Sequence, residues 1–119
     1  MIVAREFQFD AAHLLPNHPG KCKNLHGHTY RLQVWCEGPV DAETGMVLDF
    51  ADLKEAVQTR VLDRVDHTYL NDFIDNPTAE RILLWIAEQL EDTGLPLSEL
   101  RLYETPTCFV VHKMAPHRA

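Results

Sequence analysis

The chain contains no hydrophobic run long enough to cross a bilayer. Its start, Met1-Ile2-Val3-Ala4-Arg5-Glu6, lacks the basic-then-apolar pattern of an export signal. A cytoplasmic protein with no membrane partner is therefore expected. Cysteine is scarce and odd in number, at three, which argues against a disulfide framework and fits free thiols in a reducing compartment. Cations are outnumbered, 11 Lys and Arg against 18 Asp and Glu, and the net charge of −7 argues against nucleic acid or anionic lipid as partners. An anionic small molecule stays open, because a metal or a few local cations reverse the field inside one pocket. Repeats and low-complexity stretches are also missing. What remains is 119 residues, 45% hydrophobic, read as a single domain over residues 1–119 with room for one core.

Alternation predicts a strand over residues 2–13, with Val3, Phe7, Phe9 and Ala11 on one side, and a second over 24–37. Pro16, Asn17, Pro19 and Gly20 make the segment between them a loop. Asp49 is a suitable N-cap for a helix running to about Val65, whose apolar stripe is Phe50, Leu53, Val57, Val61 and Val65. A loop over 66–76 follows. Pro77 then suits the first position of a second helix that buries Ala79, Ile82, Leu83, Ile86 and Leu90 and ends at Gly94. Two further strands, 99–105 and 107–113, flank Pro106, and the tail from Lys113 to Ala119 is expected to fray. The order ββααββ predicts an α+β fold, with two helices on one face of a four-stranded antiparallel sheet. Such a sheet has two open edges, so a homo-oligomer that covers them is expected.

The chemistry concentrates in Cys22-Lys23-Asn24-Leu25-His26-Gly27-His28, with His13 upstream. Alternation places the rings of His26 and His28 on one face, and His13, ending the first strand, can meet them across an antiparallel pair. Three neutral imidazoles with no fourth protein ligand are the pattern of a catalytic zinc, which keeps a position open. Cys22 lies between Lys21 and Lys23, cations that favour its thiolate. It reads equally as a reactive thiolate and as a fourth ligand that closes a structural site. Cys36 and Cys108 align with apolar neighbours and read as core.

Asp66-His67 ends the first helix and reads either as a carboxylate-tuned acid–base group or as a histidine favoured by the helix dipole. Glu104 shares a face with Leu100 and Leu102, so it needs a donor: an internal Arg or Lys, or a ligand offering two parallel N–H groups. Glu80 sits early in the second helix, where its charge suits the dipole.

These pieces together resemble the 6-pyruvoyltetrahydropterin synthase superfamily, most closely its 6-carboxytetrahydropterin synthase branch. The resemblance rests on Phe7-x-Phe9-Asp10-Ala11-Ala12-His13-x-Leu15, Cys22-x-x-x-His26-Gly27-His28 and Thr44-Gly45-Met46-Val47-x-Asp49-Phe50. Further along come Asp66-His67-x-x-Leu70-Asn71, Asn76-Pro77-Thr78-Ala79-Glu80 and Glu104-Thr105. The three-residue interval between Cys22 and His26 is similar to the carboxy-forming branch, while Arg81 stands where the family commonly has Asn.

The resemblance implies the T-fold, in which subunits join strand edges into a barrel with helices outside. Trimers, often paired as hexamers, and active sites at subunit borders come with it. It implies a zinc lyase that converts 7,8-dihydroneopterin triphosphate to 6-carboxytetrahydropterin, acetaldehyde and triphosphate on the route to queuosine. Zn²⁺ would be held by His13, His26 and His28, with Cys22 as base and Asp66 and His67 as the proton relay. Glu104 would hold the pterin edge, with Thr78 and Glu80 as lesser pterin contacts. Two other readings stand beside it: the sister activity of 6-pyruvoyltetrahydropterin synthase, and a non-catalytic zinc-stabilised assembly module in which Cys22 completes the coordination.

Overall fold

The computed structural model describes residues 1–115; Pro116 to Ala119 lie outside the described residues. Two twelve-residue strands, β1 (Ile2–His13) and β2 (His26–Glu37), pair antiparallel along their whole length, from Ile2 opposite Glu37 to His13 opposite His26. The alternation read from the sequence sets their faces. Phe7, Phe9, Ala11 and His13 point the same way as Tyr30, Leu32, Val34 and Cys36, and all eight are buried. β4 (Leu97–Thr105) pairs with β2, and β5 (Cys108–Lys113) closes that edge, both antiparallel.

The helices lie over the apolar face. Asp49 caps α1 (Phe50–Val57), its carboxylate accepting from the Ala51 N–H at 2.8 Å. The helical run continues through a π turn, Gln58–Leu62, into a short α2, Asp63–Val65. The Thr59 hydroxyl donates to the Glu55 carbonyl at 2.9 Å where the turn begins, a back-bond of the kind that bends helices. Leu53, Val57, Val61 and Val65 are fully buried, but Phe50 is not part of the stripe: it is 49% exposed at the first turn, next to the cap. α3 (Ala79–Leu90) buries Ala79, Ile82, Leu83, Ile86 and Leu90 as its period requires. Its cap is Thr78, so Pro77 stands one residue before the helix boundary rather than at its first position.

Two expectations about the sheet are corrected. The segment between the helices is not all loop: β3 (Thr68–Tyr69) runs parallel to Ala11 and Ala12 of β1. The sheet is therefore five-stranded and mixed, in the order β3-β1-β2-β4-β5, rather than four-stranded and antiparallel. A two-residue strand has no alternation to read, and only the tertiary return of the chain creates it. At the other edge Lys113 is the last residue of β5 and the Met114 N–H donates to the Ser98 carbonyl at 3.0 Å, so fraying does not begin at 113. Cys36 is a core residue whose thiol burial pushes up to about 11, whereas Cys108 is exposed, since it opens an edge strand just after a turn.

Among the described residues no helix lies on the opposite face of the sheet. That face holds a polar lattice, with Arg31 bonded to Glu6 at 3.1 Å and the Arg101 guanidinium 4.0 Å from the Trp35 ring centre. Phe109 and Val111 of the edge strand remain 49% and 43% exposed there. Among the described residues no helix is long and apolar enough to cross a membrane.

Candidate active site

Pairing of β1 with β2 brings three histidines together at one end of the sheet. His13 is directly opposite His26, and His28 is opposite Ala11 one step further in. All three rings project to the helix-covered face, with centres 4.5 to 5.2 Å apart. His13 is fully buried and Tyr30 forms the floor beneath the cluster, its ring 6.1 Å from that of His13. Glu104 of β4 completes the group: His13, His26, His28 and Glu104 each offer a donor atom, all within 4.8 Å of one another.

The hydrogen bonds decide which nitrogens are free. His13 donates from Nδ1 to the Pro77 carbonyl at 2.8 Å, and His26 donates from Nδ1 to the Asn24 carbonyl at 2.7 Å. Carbonyl oxygens only accept, so both rings carry their proton on Nδ1 and present a bare Nε2. Those two Nε2 atoms face each other at 3.0 Å. The third ring, His28, has its Nε2 buried without a hydrogen bond, although Glu104 Oε1 lies 3.0 Å away outside hydrogen-bond alignment. Burial lowers the pKa of both His13 and His28, which favours their neutral, metal-binding forms. Converging lone pairs with no proton between them fit a cation, and imidazole donors with one carboxylate suit a divalent transition metal such as zinc.

Cys22 lies on a short 3₁₀ turn, Lys21–Lys23, half-buried between two exposed lysines. Its Sγ is not one of the converging donors. Backbone bonds tie its turn to the cluster: the Leu15 N–H donates to the Cys22 carbonyl at 2.7 Å, and the Asn24 N–H to the Lys21 carbonyl at 3.1 Å.

Asp66 and His67 do pair, a point on which adjacency in the sequence was silent. His67 Nδ1 is 3.1 Å from Asp66 Oδ2, because His67 takes a left-handed conformation (φ 59°) that swings its ring back. Asp10 clamps the turn from both ends. Its N–H donates to Asp66 Oδ1 at 3.0 Å, which holds the Asp66 carboxyl below its ordinary range, and its carbonyl accepts from the His67 N–H at 2.6 Å. An open cleft of about 580 Å³ runs from this pair, lined by Asp10, His28, Thr29, His67 and Tyr69 among others. Cys22 does not line it.

Glu104 meets two histidines rather than the Arg or Lys expected as its default partner: its Oε1 is 3.0 Å from His28 Nε2 and 3.8 Å from His13 Nε2. Register slips between Tyr103 and Thr105, and Glu104 occupies that slip with its side chain 25% exposed. Thr78 spends its hydroxyl on the Arg81 N–H as the α3 cap (3.2 Å), and Glu80 is exposed in the first turn. Arg81 reaches back to Asp75 at 3.5 Å. The residues missed from the sequence are those acting through backbone or amide groups. Besides Asn24 and Pro77 there is Asn71, which grips the end of β1 by accepting from the Leu14 N–H at 3.0 Å and donating to its carbonyl at 2.9 Å. Carbonyl partners have no side-chain signature; the Cys22–His28, Asp-His-x-x-Leu-Asn and Asn-Pro runs marked only their neighbourhoods.

Residues 2–115 match the 6-pyruvoyl tetrahydropterin synthase family. The chain is 43% identical over 113 residues to a Synechocystis sp. protein named 6-carboxy-5,6,7,8-tetrahydropterin synthase, covering 89% of this chain and 88% of that one. A Haemophilus influenzae protein of the same name is 40% identical over 133 residues, covering 90% and 94%. Among solved structures, the 6-pyruvoyl tetrahydropterin synthase of Caenorhabditis elegans superposes with a TM-score of 0.87 at 30% identity, over 97% of this chain and 96% of that one.

Proposed function

The chain belongs to the 6-pyruvoyl tetrahydropterin synthase family, and we propose that within it the protein is a zinc-dependent 6-carboxy-5,6,7,8-tetrahydropterin synthase. Its substrate is 7,8-dihydroneopterin triphosphate, and its products are 6-carboxytetrahydropterin, acetaldehyde and triphosphate, on the route to queuosine. The observation that carries this reading is the convergence of three Nε2 atoms at the end of the sheet, in a chain 43% identical to a relative of that name.

His13, His26 and His28 would hold the zinc. When bound, it supplies Lewis acidity that polarises oxygens of the substrate side chain. Cys22, outside the donor group yet tied to it through Leu15 and Asn24, is free to act as the base on the side-chain carbon. That position supports an enzyme over an assembly module closed by Cys22. His67, held by Asp66 and mostly exposed at the cleft, would pass protons on the opposite side. Glu104 would accept the paired N–H groups of the pterin, as a carboxylate does best. Thr78 and Glu80 belong to this proposal only as lesser pterin contacts, and Lys21 and Lys23, which flank Cys22 in sequence, are candidate cations for a triphosphate.

Within one chain Cys22 does not line the cleft of His67. The proposed active site is therefore shared between subunits of a trimer-based T-fold barrel, possible because the helix-free sheet face and the β5 edge are uncovered. A second reading, the 6-pyruvoyl sister activity, draws on the C. elegans structure. The two part on products. Zinc-loaded protein is incubated with 7,8-dihydroneopterin triphosphate, and the products are identified by mass spectrometry with acetaldehyde assayed alongside. Carboxytetrahydropterin with equimolar acetaldehyde supports the proposal. Pyruvoyltetrahydropterin without acetaldehyde moves the protein to the sister reaction.

A further inference from the structure

Two non-glycine residues among those described have positive φ: His67, whose role in the cleft is given above, and Asn76 at 43°. Asn76 precedes Pro77, and the residue before a proline is normally steered toward extended backbone. Its side-chain Oδ1 is also buried without a hydrogen-bond partner. A strained backbone and an unpaired buried oxygen both oppose folding, and strain of this kind persists only where the surroundings enforce it. Here it sits one residue from the carbonyl that accepts the His13 Nδ1–H hydrogen bond.

The local geometry explains the coincidence. The Thr78 N–H donates to the Asn76 carbonyl at 2.7 Å, closing a tight turn around Pro77. Thr78 then caps α3, which fixes the far side of that turn. Pro77 has no N–H of its own and a locked φ, so its carbonyl direction follows from the turn alone. That carbonyl, 64 residues from His13 in sequence, reaches His13 Nδ1 at 2.8 Å. Outer partners of this type fix the tautomer and orientation of a metal-binding histidine.

We propose that Asn76 is a positioning residue of the metal centre: its left-handed turn aims the Pro77 carbonyl at His13 and so holds the ring with Nε2 bare toward His26. This rests on the reading that the three histidines hold a metal. Asparagine suits the role because it tolerates the left-handed region, and glycine tolerates it equally.

The test compares Asn76→Ala with Asn76→Gly, both measured against wild type for zinc affinity by chelator competition and for the visible spectrum of the Co²⁺ form. Asn76→Ala is expected to lose about 10–100-fold in zinc affinity with an altered Co²⁺ spectrum. Asn76→Gly is expected to stay within about threefold of wild type with the wild-type spectrum. Alanine matching wild type overturns the inference, as does glycine losing as much as alanine. Should alanine fail to fold, long-range ¹⁵N–¹H correlation of the metal-free Asn76→Gly protein decides, because that variant keeps the left-handed turn and removes the side chain. An Nδ1–H tautomer at His13 upholds the inference and an Nε2–H tautomer overturns it. A wild type that holds no zinc removes the metal reading and this inference together, whereas a zinc-binding wild type with an unaffected alanine variant removes the inference alone.

Discussion

His13 and His26 face each other through Nε2 atoms 3.0 Å apart, each ring donating its Nδ1–H to a backbone carbonyl. Two lone pairs in that position repel unless a cation lies among them. Converting one ring to imidazolium would relieve the repulsion, but burial disfavours charge on His13. A divalent metal satisfies His13, His26 and the unpaired Nε2 of His28 at once.

That arrangement gives the pH dependence a sign. His13 and His28 have folded pKa values below the ordinary 6.5, chiefly through burial. The unfolded chain thus binds more protons between the two values, and the folding stability of the metal-free protein falls as pH drops below about 6.5. Zinc affinity falls in the same direction, since protons compete for the same nitrogens. Thermal melts of chelator-treated protein should show a lower Tm at pH 5.5 than at pH 7.5, with the zinc-loaded form higher than both. A flat pH profile for the metal-free protein would show that the histidines are not held neutral by burial.

Glu104 has two possible employments, and one variant separates them. If it holds the pterin, Glu104→Gln keeps zinc affinity within about threefold while kcat/KM falls by about tenfold or more, as expected for a lost charge-assisted bond of ~1.5–3 kcal/mol. A collapse of zinc affinity instead would make Glu104 a fourth metal donor, which its 3.0 Å approach to His28 Nε2 permits.

A site shared between subunits, as proposed, predicts complementation. Cys22→Ala and His67→Ala should each be inactive alone. Co-refolded in equal amounts, they should recover about one quarter of wild-type activity, because a random border pairs the two intact residues about that often. No recovery in verified mixed oligomers would place both residues in one chain's site.

Asn71 supports the cluster from outside. Both of its amide contacts go to Leu14, one residue past His13. Asn71→Ala should destabilise the protein by about 1–3 kcal/mol in denaturant melts, the cost of leaving polar groups unpaired. A change below about 0.5 kcal/mol would mean that water replaces the amide fully.

Much of this is legible in the sequence. Alternation in β1 and β2 fixes which way the three histidines point, since a side-chain period of two leaves no other choice once Phe7, Phe9, Leu32 and Val34 are buried. Asp49 and the α3 stripe mark the helices in the same way. What stayed hidden depends on distant chain segments meeting. β3 exists only because Thr68 and Tyr69 lie beside Ala11 and Ala12. Glu104 turns to the histidines at a slip in register, and Phe50 leaves its stripe at an exposed helix start. The carbonyls of Asn24 and Pro77 could not be found by residue type, because every residue has one.

The division of labour between metal and thiol is the centre of the account, and Cys22→Ala tests it most directly. Zinc content by mass spectrometry and product formation from 7,8-dihydroneopterin triphosphate are measured on the same folded preparation. One zinc per chain is expected, as in wild type, with turnover reduced about 10²–10⁴-fold, the usual worth of a general base. Loss of zinc with the thiol, or turnover near the wild-type rate, would contradict it.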